Sequence, residues 1–288
     1  MPELPEVHAL ALDLAGRLDG RAIVRVDIAA FSALKTFDPP LSALEGTFVD
    51  GVTRHGKFLD IHAGGLHLIL HLARAGWIRW RDEVPALPPR PGGKSPLAAR
   101  IVLDNGAGLD ITEAGPKKSL ALYVARSPQD VPGIARLGPD PLGDDFDEAA
   151  LQAILTEAGR AQIKGVLRHQ GTIAGIGNAY SDELLHAARM SPFKPASSLD
   201  ADDVSILYNA IRTVLGDAVD RSRGLAASEL KGEKKSHLAV HGRTGQKCPV
   251  CGDIVREVSF ADSSLQYCAT CQTGGKPLAD RRLSKLLK

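Results

Sequence analysis

The sequence predicts an α+β fold: an N-terminal β-sandwich or barrel behind one leading helix, a helical C-terminal part, and a β-hairpin held by four cysteines. Three observations carry this. Apolar residues keep helical spacing only near the start and again between residues 146 and 221. Between residues 22 and 124 the pattern shortens to β-type runs bounded by Gly, Pro, Asn and Asp. All four cysteines fall between residues 248 and 271.

Each element has its own signal. Pro5 suits an opening helical turn, Val7, Leu10, Leu14 and Leu18 share one face, and Gly20 suits the stop. Residues 22–28, 58–62, 66–72 and 99–103 read as strands, and Asp104-Asn105-Gly106 as a hairpin turn. Residues 86–96 form a Pro/Gly-rich loop carrying Arg90 and Lys94. Composition shifts near Ser127, and residues 137–142 (Leu-Gly-Pro-Asp-Pro-Leu) read as a linker. Helical patterns follow over 146–157, 161–169, 180–188 and 202–221, and 224–236 reads as a mobile loop. These changes divide the chain into 1–130, 131–240 and 241–288.

Composition bounds the function. A length of 288 residues with 44% hydrophobic side chains allows two domains with real cores. Charged residues interrupt every apolar run, which argues against a membrane span. Glu3 and Glu6 stand where a secretory signal would be basic, so a cytoplasmic, bacterial-type, monomeric protein is expected. The net charge is only +1, yet residues 221–288 hold 13 basic and 6 acidic side chains. That asymmetry fits a polyanion partner, or equally a solvated basic tail.

Cys248-x2-Cys251 and, after sixteen intervening residues, Cys268-x2-Cys271 have the spacing of a tetrahedral S4 zinc site. Residues 254–260 alternate like a strand, 261–264 turn, and 265–267 return, so one structural zinc ion staples a hairpin. Four thiolates leave no open position for catalysis. Zinc ribbons serve DNA binding and protein docking alike, so the module alone does not choose between them.

The N-terminus, Met1-Pro2-Glu3-Leu4-Pro5-Glu6, carries chemistry if Met1 is removed. The freed Pro2 nitrogen is a secondary amine, able to attack an aldehyde-like carbon and form an iminium. The adjacent helix N-terminus disfavours its ammonium form. Glu3 is placed as general acid/base, and Glu6 to orient the group. The bland alternative is a Pro-rich lead-in with solvated glutamates.

Pro2-Glu3-Leu4-Pro5-Glu6-Val7 resembles the start of the formamidopyrimidine-DNA glycosylase and endonuclease VIII family. Three later blocks agree in order: His55-Gly56-Lys57-Phe58-Leu59, then Gln170 through Ile173-Ala174-Gly175-Ile176-Gly177-Asn178 to Glu183, then Val240-His241-Gly242-Arg243-Thr244-Gly245 with the four cysteines and Gln272. The resemblance spans the chain to about residue 272. It implies that the helical part is a helix–two-turns–helix domain that binds damaged DNA. It makes Pro2 the nucleophile at the sugar C1′, Glu3 the proton shuttle, and Lys57 a phosphate ligand assisting strand scission. It puts His71, Arg74, Lys164, Gly177, Asn178 and Arg243 on DNA, and Glu6 and Glu183 by the flipped base. Taken alone, Lys57 is an exposed turn lysine and Glu183 an ordinary helix acid.

The pattern breaks where the family fills the hole left by a flipped nucleotide. Arg74 stands where a Met is usual, in His71-Leu72-Ala73-Arg74-Ala75-Gly76. Glu113-Ala114-Gly115-Pro116-Lys117-Lys118-Ser119 replaces an Arg/Phe-bearing loop, and Ser263 stands at the zinc hairpin tip where an Arg is usual. The expected function is a bifunctional DNA glycosylase and abasic-site lyase that forms a Schiff base through Pro2, proceeds by β,δ-elimination, and favours abasic or unstacked lesions. The alternative is a damaged-DNA binding protein with little base excision. A zinc-ribbon interaction protein would not account for Pro2, Glu3 and Lys57 together.

Overall fold

A computed structural model describes residues 1–90, 95–261 and 263–280. Lys94 of the Pro/Gly-rich loop, Asp262 of the hairpin turn and the last eight residues of the basic tail lie outside the described residues. The chain forms two compact units: Met1–Leu137 with Ser222–Lys231, and Gly138–Arg221 with Gly232–Lys288.

The first unit opens with α1 (Leu4–Leu18), followed by β1 (Ile23–Ile28), β2 (Val49–His55), β3 (Phe58–Ala63), β4 (Leu66–His71), β5 (Gly76–Arg81), β6 (Leu97–Leu103), β7 (Gly108–Glu113) and β8 (Ala121–Ala125). The strands make two separate antiparallel sheets, β1-β6-β7-β5 and β2-β3-β4-β8, so the architecture is a sandwich and not a barrel. Inward-facing Leu59, Ile61, Leu68, Leu70 and Leu122 of one sheet share a core with Ile78, Ile101, Leu109 and Ile111 of the other. The apolar stripe of α1 (Val7, Leu10, Leu14, Leu18) enters the same core, and the helix packs on β2 and β3. Alternation along β3 and β4 leaves a second face, where Ile69 joins Ala125, Val131 and Ile134 in a smaller cluster.

The second unit contains α2 (Glu148–Ala158), α3 (Ile163–Arg168), α4 (Asn178–Ala187) and α5, whose range is Ala201–Ser222. Asp147 caps α2 by accepting the Ala150 N–H at 2.7 Å. Residues 224–236, expected as a mobile loop, contain most of a helix, α6 (Leu230–His237). Its sequence is polar with an internal glycine, so it has no apolar period to detect. Its first two residues, Leu230 and Lys231, belong to the first unit, where the fully buried Leu230 joins the core and contributes about 2 kcal/mol. Glu233 then pairs with His237 one turn on at 3.0 Å and with Arg221 at 2.9 Å. The unit ends in the hairpin of β9 (Val255–Ser259) and β10 (Ser264–Cys268), followed by α7 (Ala269–Thr273).

Candidate active site and zinc centre

Pro2 and Glu3 are buried just ahead of α1, while Met1 is exposed. Glu3 is the N-cap of the helix and Glu6 its third residue, and the two form a capping box. The Glu3 N–H donates to Glu6 Oε2 at 2.8 Å, and the Glu3 carboxylate accepts the Glu6 N–H in return. Two carboxylates at the positive end of a helix are favoured by its dipole. Glu6 therefore clamps the peptide that follows Pro2, which accounts for two acidic side chains that are almost fully buried.

The β2–β3 hairpin closes through a two-residue turn, Gly56-Lys57, between the paired His55 and Phe58. Gly56 has φ 54°, the left-handed conformation such turns require, and Arg54 Nη1 donates to Gly56 O at 3.0 Å. Lys57 is only 7% exposed, so it is not the solvated turn lysine that its position alone suggests. Burial and the Lys57 charge push the His71 imidazole down to about 4, so it is neutral at pH 7. His71 also packs against Phe58, with ring centroids 4.7 Å apart and the rings tilted by 39°. Beyond it Arg74 is exposed on the β4–β5 turn. This turn is tight enough that a Cβ on Gly76 would lie 2.1 Å from Leu72 O. Residues 114–119 form an exposed loop tied at its base by Glu113 Oε1, which accepts the N–H groups of Ser119 at 2.7 Å and Leu120 at 3.0 Å.

In the second unit Gln170 braces the turns before α4. Its Nε2 donates to Ile176 O at 2.7 Å and its Oε1 accepts the Gly175 N–H at 3.0 Å. Gly175 has φ 87° and requires glycine, whereas Gly177, the N-cap of α4, has φ −126° and does not. Asn178 Nδ2 donates to Ser264 O at 2.7 Å, and its Oδ1 is buried with no hydrogen-bond partner. Lys164, expected on phosphate, is instead buried, with Nζ 2.6 Å from both Ser181 Oγ and Asp182 Oδ1 and 3.2 Å from Asn178 O. Those acceptors match the three protons of its ammonium group. Glu183 Oε1 accepts the N–H groups of Val240 and His241, and Oε2 that of Ala239, so its carboxylate fastens the segment leading to the hairpin. Burial pushes the Glu183 carboxyl above its ordinary value against the pull of these amides. Arg243 Nη2 donates to Ser236 O at 3.0 Å, while its Nε is buried without a hydrogen-bond partner.

Cys248, Cys251, Cys268 and Cys271 converge, with all four sulfurs within 4.8 Å of one another. The Cys248–Cys271 and Cys251–Cys268 separations are 3.8 and 3.4 Å. A tetrahedron with Zn–S bonds of about 2.3 Å has edges of about 3.8 Å, so the set fits one structural Zn2+. His186 Nε2, on α4, lies 3.2 Å from Cys248 Sγ, where it can donate to a metal-bound thiolate.

Residues 1–117 match the formamidopyrimidine-DNA glycosylase N-terminal domain, 137–229 its H2TH domain, and 245–274 the zinc finger found in FPG and IleRS. The formamidopyrimidine-DNA glycosylase of Symbiobacterium thermophilum is 36% identical over 98% of this chain and 93% of its own. The chain belongs to the formamidopyrimidine-DNA glycosylase family. This glycosylase also resembles an uncharacterized formamidopyrimidine-DNA glycosylase-like protein of Mycobacterium tuberculosis, 58% identical over 53% of this chain and 94% of that one. The MutM (Fpg) structure of Thermus thermophilus superposes with a TM-score of 0.80 at 31% identity, covering 96% and 100% of the two chains. Lactococcus lactis Fpg bound to abasic-site DNA gives 0.82 at 26% identity, covering 94% and 99%. The enzyme class is therefore a DNA-repair glycosylase of the family that pairs base excision with abasic-site lyase activity.

Sequence reasoning on this glycosylase missed Asp182. It is fully buried and joins Lys164, His241 Nδ1 at 2.7 Å and the Gln266 N–H at 3.2 Å. An acidic residue in the first turns of a helix signals only a favourable dipole contact, so nothing local marks it as a hub. His186 carried no signal either, because its partner Cys248 lies 62 residues away.

Proposed function

We propose that this chain excises damaged bases and cuts the resulting abasic site with the Pro2 amine as nucleophile. Met1 removal turns the Pro2 nitrogen from an amide into a secondary amine. That nitrogen attacks the sugar C1′, and the base leaves as Glu3 protonates the ring oxygen, giving a ring-opened iminium. Loss of a C2′ proton then expels the 3′ phosphate by β-elimination, and a δ-elimination expels the 5′ phosphate. Lys57 holds a phosphate beside the lesion during scission. The supporting observation is the Glu3–Glu6 capping box, which fixes the peptide next to Pro2 and buries the proposed proton shuttle beside it. Borohydride reduction in the presence of abasic DNA tests this. The processed enzyme should form a trapped covalent complex, and a form with an acylated Pro2 nitrogen should not. Efficient trapping by the blocked form would move the nucleophile to a lysine.

His71, Arg74, Gly177, Asn178 and Arg243 are assigned to DNA, with Asn178 offering its second amide proton and Arg243 the positive charge of its guanidinium. Lys164 and Glu183 are assigned to holding α4 and the approach to the zinc hairpin, because their polar atoms are engaged there. Glu6 is assigned to orienting Glu3 and not to touching the base. The enzyme is taken to act as a cytoplasmic monomer. No helix among the described residues is long and apolar enough to cross a membrane. A damaged-DNA binding role with little excision is favoured by one observation, the exposure of Arg74 and of the lysine-bearing 114–119 loop, which the family resemblance assigns to filling the void. Single-turnover excision of a damaged base separates the two readings.

A further inference from the structure

The outer face of the β2-β3-β4-β8 sheet carries a side-chain cluster that the glycosylase chemistry does not use. Asp60 sits mid-strand in β3 and is fully buried. His62 follows two residues later on the same face, and His67 of β4 pairs directly opposite His62. Asp60 Oδ2 lies 3.1 Å from His62 Nε2 and 3.1 Å from His67 Nδ1. The three ligand atoms of Asp60, His62 and His67 all lie within 4.8 Å of one another. The two imidazoles meet edge to face, with centroids 4.5 Å apart. His55 of β2 adds a contact to the same Oδ2 at 3.0 Å.

A fully buried carboxylate must recover several kcal/mol of lost hydration, normally from a Lys or Arg. Among the described residues, every side chain shown bonded to Asp60 is an imidazole, and an imidazole brings a full positive charge only when protonated. The cluster thus presents one anionic oxygen donor and two convergent nitrogen donors with no fixed cation. Oxygen–nitrogen separations near 3.1 Å are those of adjacent ligands on an ion with bonds of about 2.1 Å. The side chains of His62 and His67 remain 34% and 18% exposed, which leaves a route for an ion and open positions for water.

We propose that Asp60, His62 and His67 bind a divalent first-row transition ion, a second metal site separate from the four cysteines. Two imidazoles and one carboxylate are the borderline donor set that Zn2+, Co2+ and Fe2+ accept and that Mg2+ and Ca2+ do not favour. His55 holds the carboxylate oxygen as an outer partner. The ion ties β3 to β4 across the His62–His67 pair, on the hairpins next to the turn that carries Lys57. Metal binding requires an unprotonated Nε2 on His62 and Nδ1 on His67, so any proton on those atoms moves to the opposite ring nitrogen or to solvent as the ion enters.

The test uses the full chain, untagged, with zinc in the cysteine site, dialysed against Co2+. One further equivalent of cobalt should bind, with weak visible d–d bands and no thiolate charge-transfer band. The protein's melting temperature should rise with it, because the ion binds the folded state. The double variant His62→Gln/His67→Gln should lose the second equivalent and the thermal shift while keeping the first metal and its own folded near-UV signature. Wild-type protein that takes up no second equivalent overturns the proposal directly, whatever the variants do. Undiminished uptake by the double variant would also overturn it by placing the ion elsewhere, and a thiolate charge-transfer band would show cobalt replacing zinc instead.

Discussion

The Lys164 ammonium lies 2.6 Å from the Asp182 carboxylate, with both side chains buried. This pair joins α3 to α4, and through His241 and Gln266 it reaches the zinc hairpin. Breaking a buried pair from one side leaves an uncompensated charge and costs about 3–5 kcal/mol. Lys164→Met should therefore lower the denaturation midpoint strongly. The salt dependence of DNA binding should change little in the fraction that stays folded, because a paired ammonium releases no counterion. Loss of one phosphate contact would instead reduce the slope of log K against log salt by about 0.9. A near-native midpoint with a reduced slope would return Lys164 to the phosphate backbone.

His71 and Lys57 give a pH prediction. The His71 pKa of about 4 lies below the ordinary imidazole value, so the unfolded chain binds the proton more readily than the folded one. Stability from this group is complete above the unfolded value near 6.5 and is lost as pH falls toward 4, by at most about 3 kcal/mol. Histidine C–H resonances followed by NMR should show His71 titrating near 4, and Lys57→Met should raise that value by removing the neighbouring charge. An unchanged midpoint in the variant would leave burial as the sole cause.

What was legible in the sequence was whatever is periodic or closely spaced. The α1 stripe from Val7 to Leu18, the strands on either side of Asp104-Asn105-Gly106 and the Cys-x2-Cys pairs all appear where expected. Helix α6 was hidden because tertiary anchoring of Leu230, and not its own polar sequence, orders it. Glu3 and Glu6 were found as chemistry, but their reciprocal capping emerged only with the helix boundary. The Asp60 cluster is assembled by strand register: His62 and His67 are neighbours because Gly64-Gly65 closes the hairpin between them. Residue type alone cannot reveal such a register.

Zinc removal should act locally first. A structural zinc site of this type contributes on the order of 10–16 kcal/mol to folding of its module, far more than a hairpin of two five-residue strands can supply alone. Chelation should abolish DNA binding while the sandwich keeps its cooperative thermal transition. His186 is expected to slow release by donating to Cys248, so His186→Leu should lose zinc to a chelator roughly tenfold faster. Equal release rates in variant and parent would make the contact incidental, and normal DNA binding by the zinc-free protein would remove the hairpin from the interface.

Substrate choice follows from the residues that the family resemblance assigns to filling the hole left by a flipped nucleotide. Extracting a base from an intact duplex costs a few kcal/mol of unstacking and unpairing, least at damaged, mismatched or single-stranded positions. An enzyme offsets that cost by filling the hole with side chains that stack. Here the exposed candidates are Arg74 and the 114–119 loop with Lys117 and Lys118. A guanidinium can stack on a neighbouring base, but lysine ammonium groups are point charges suited to phosphate and leave the gap open. Glu113 ties the loop base to Ser119 and Leu120, which limits how far so short a loop can reach into the helix. Excision of an oxidised purine paired with cytosine should therefore be slower than excision of the same base in a bubble. The expected gap is at least about tenfold, equivalent to about 1.4 kcal/mol of barrier. Abasic sites, which need no base extraction, should be cut fastest. Arg74→Met combined with an Arg/Phe-bearing loop over 114–118 should close the gap by raising the duplex rate and leaving the bubble rate unchanged. Single-turnover rates on matched oligonucleotides decide the matter, and equal rates on paired and bubble substrates by the unmodified enzyme would show that Arg74 and the present loop already fill the void.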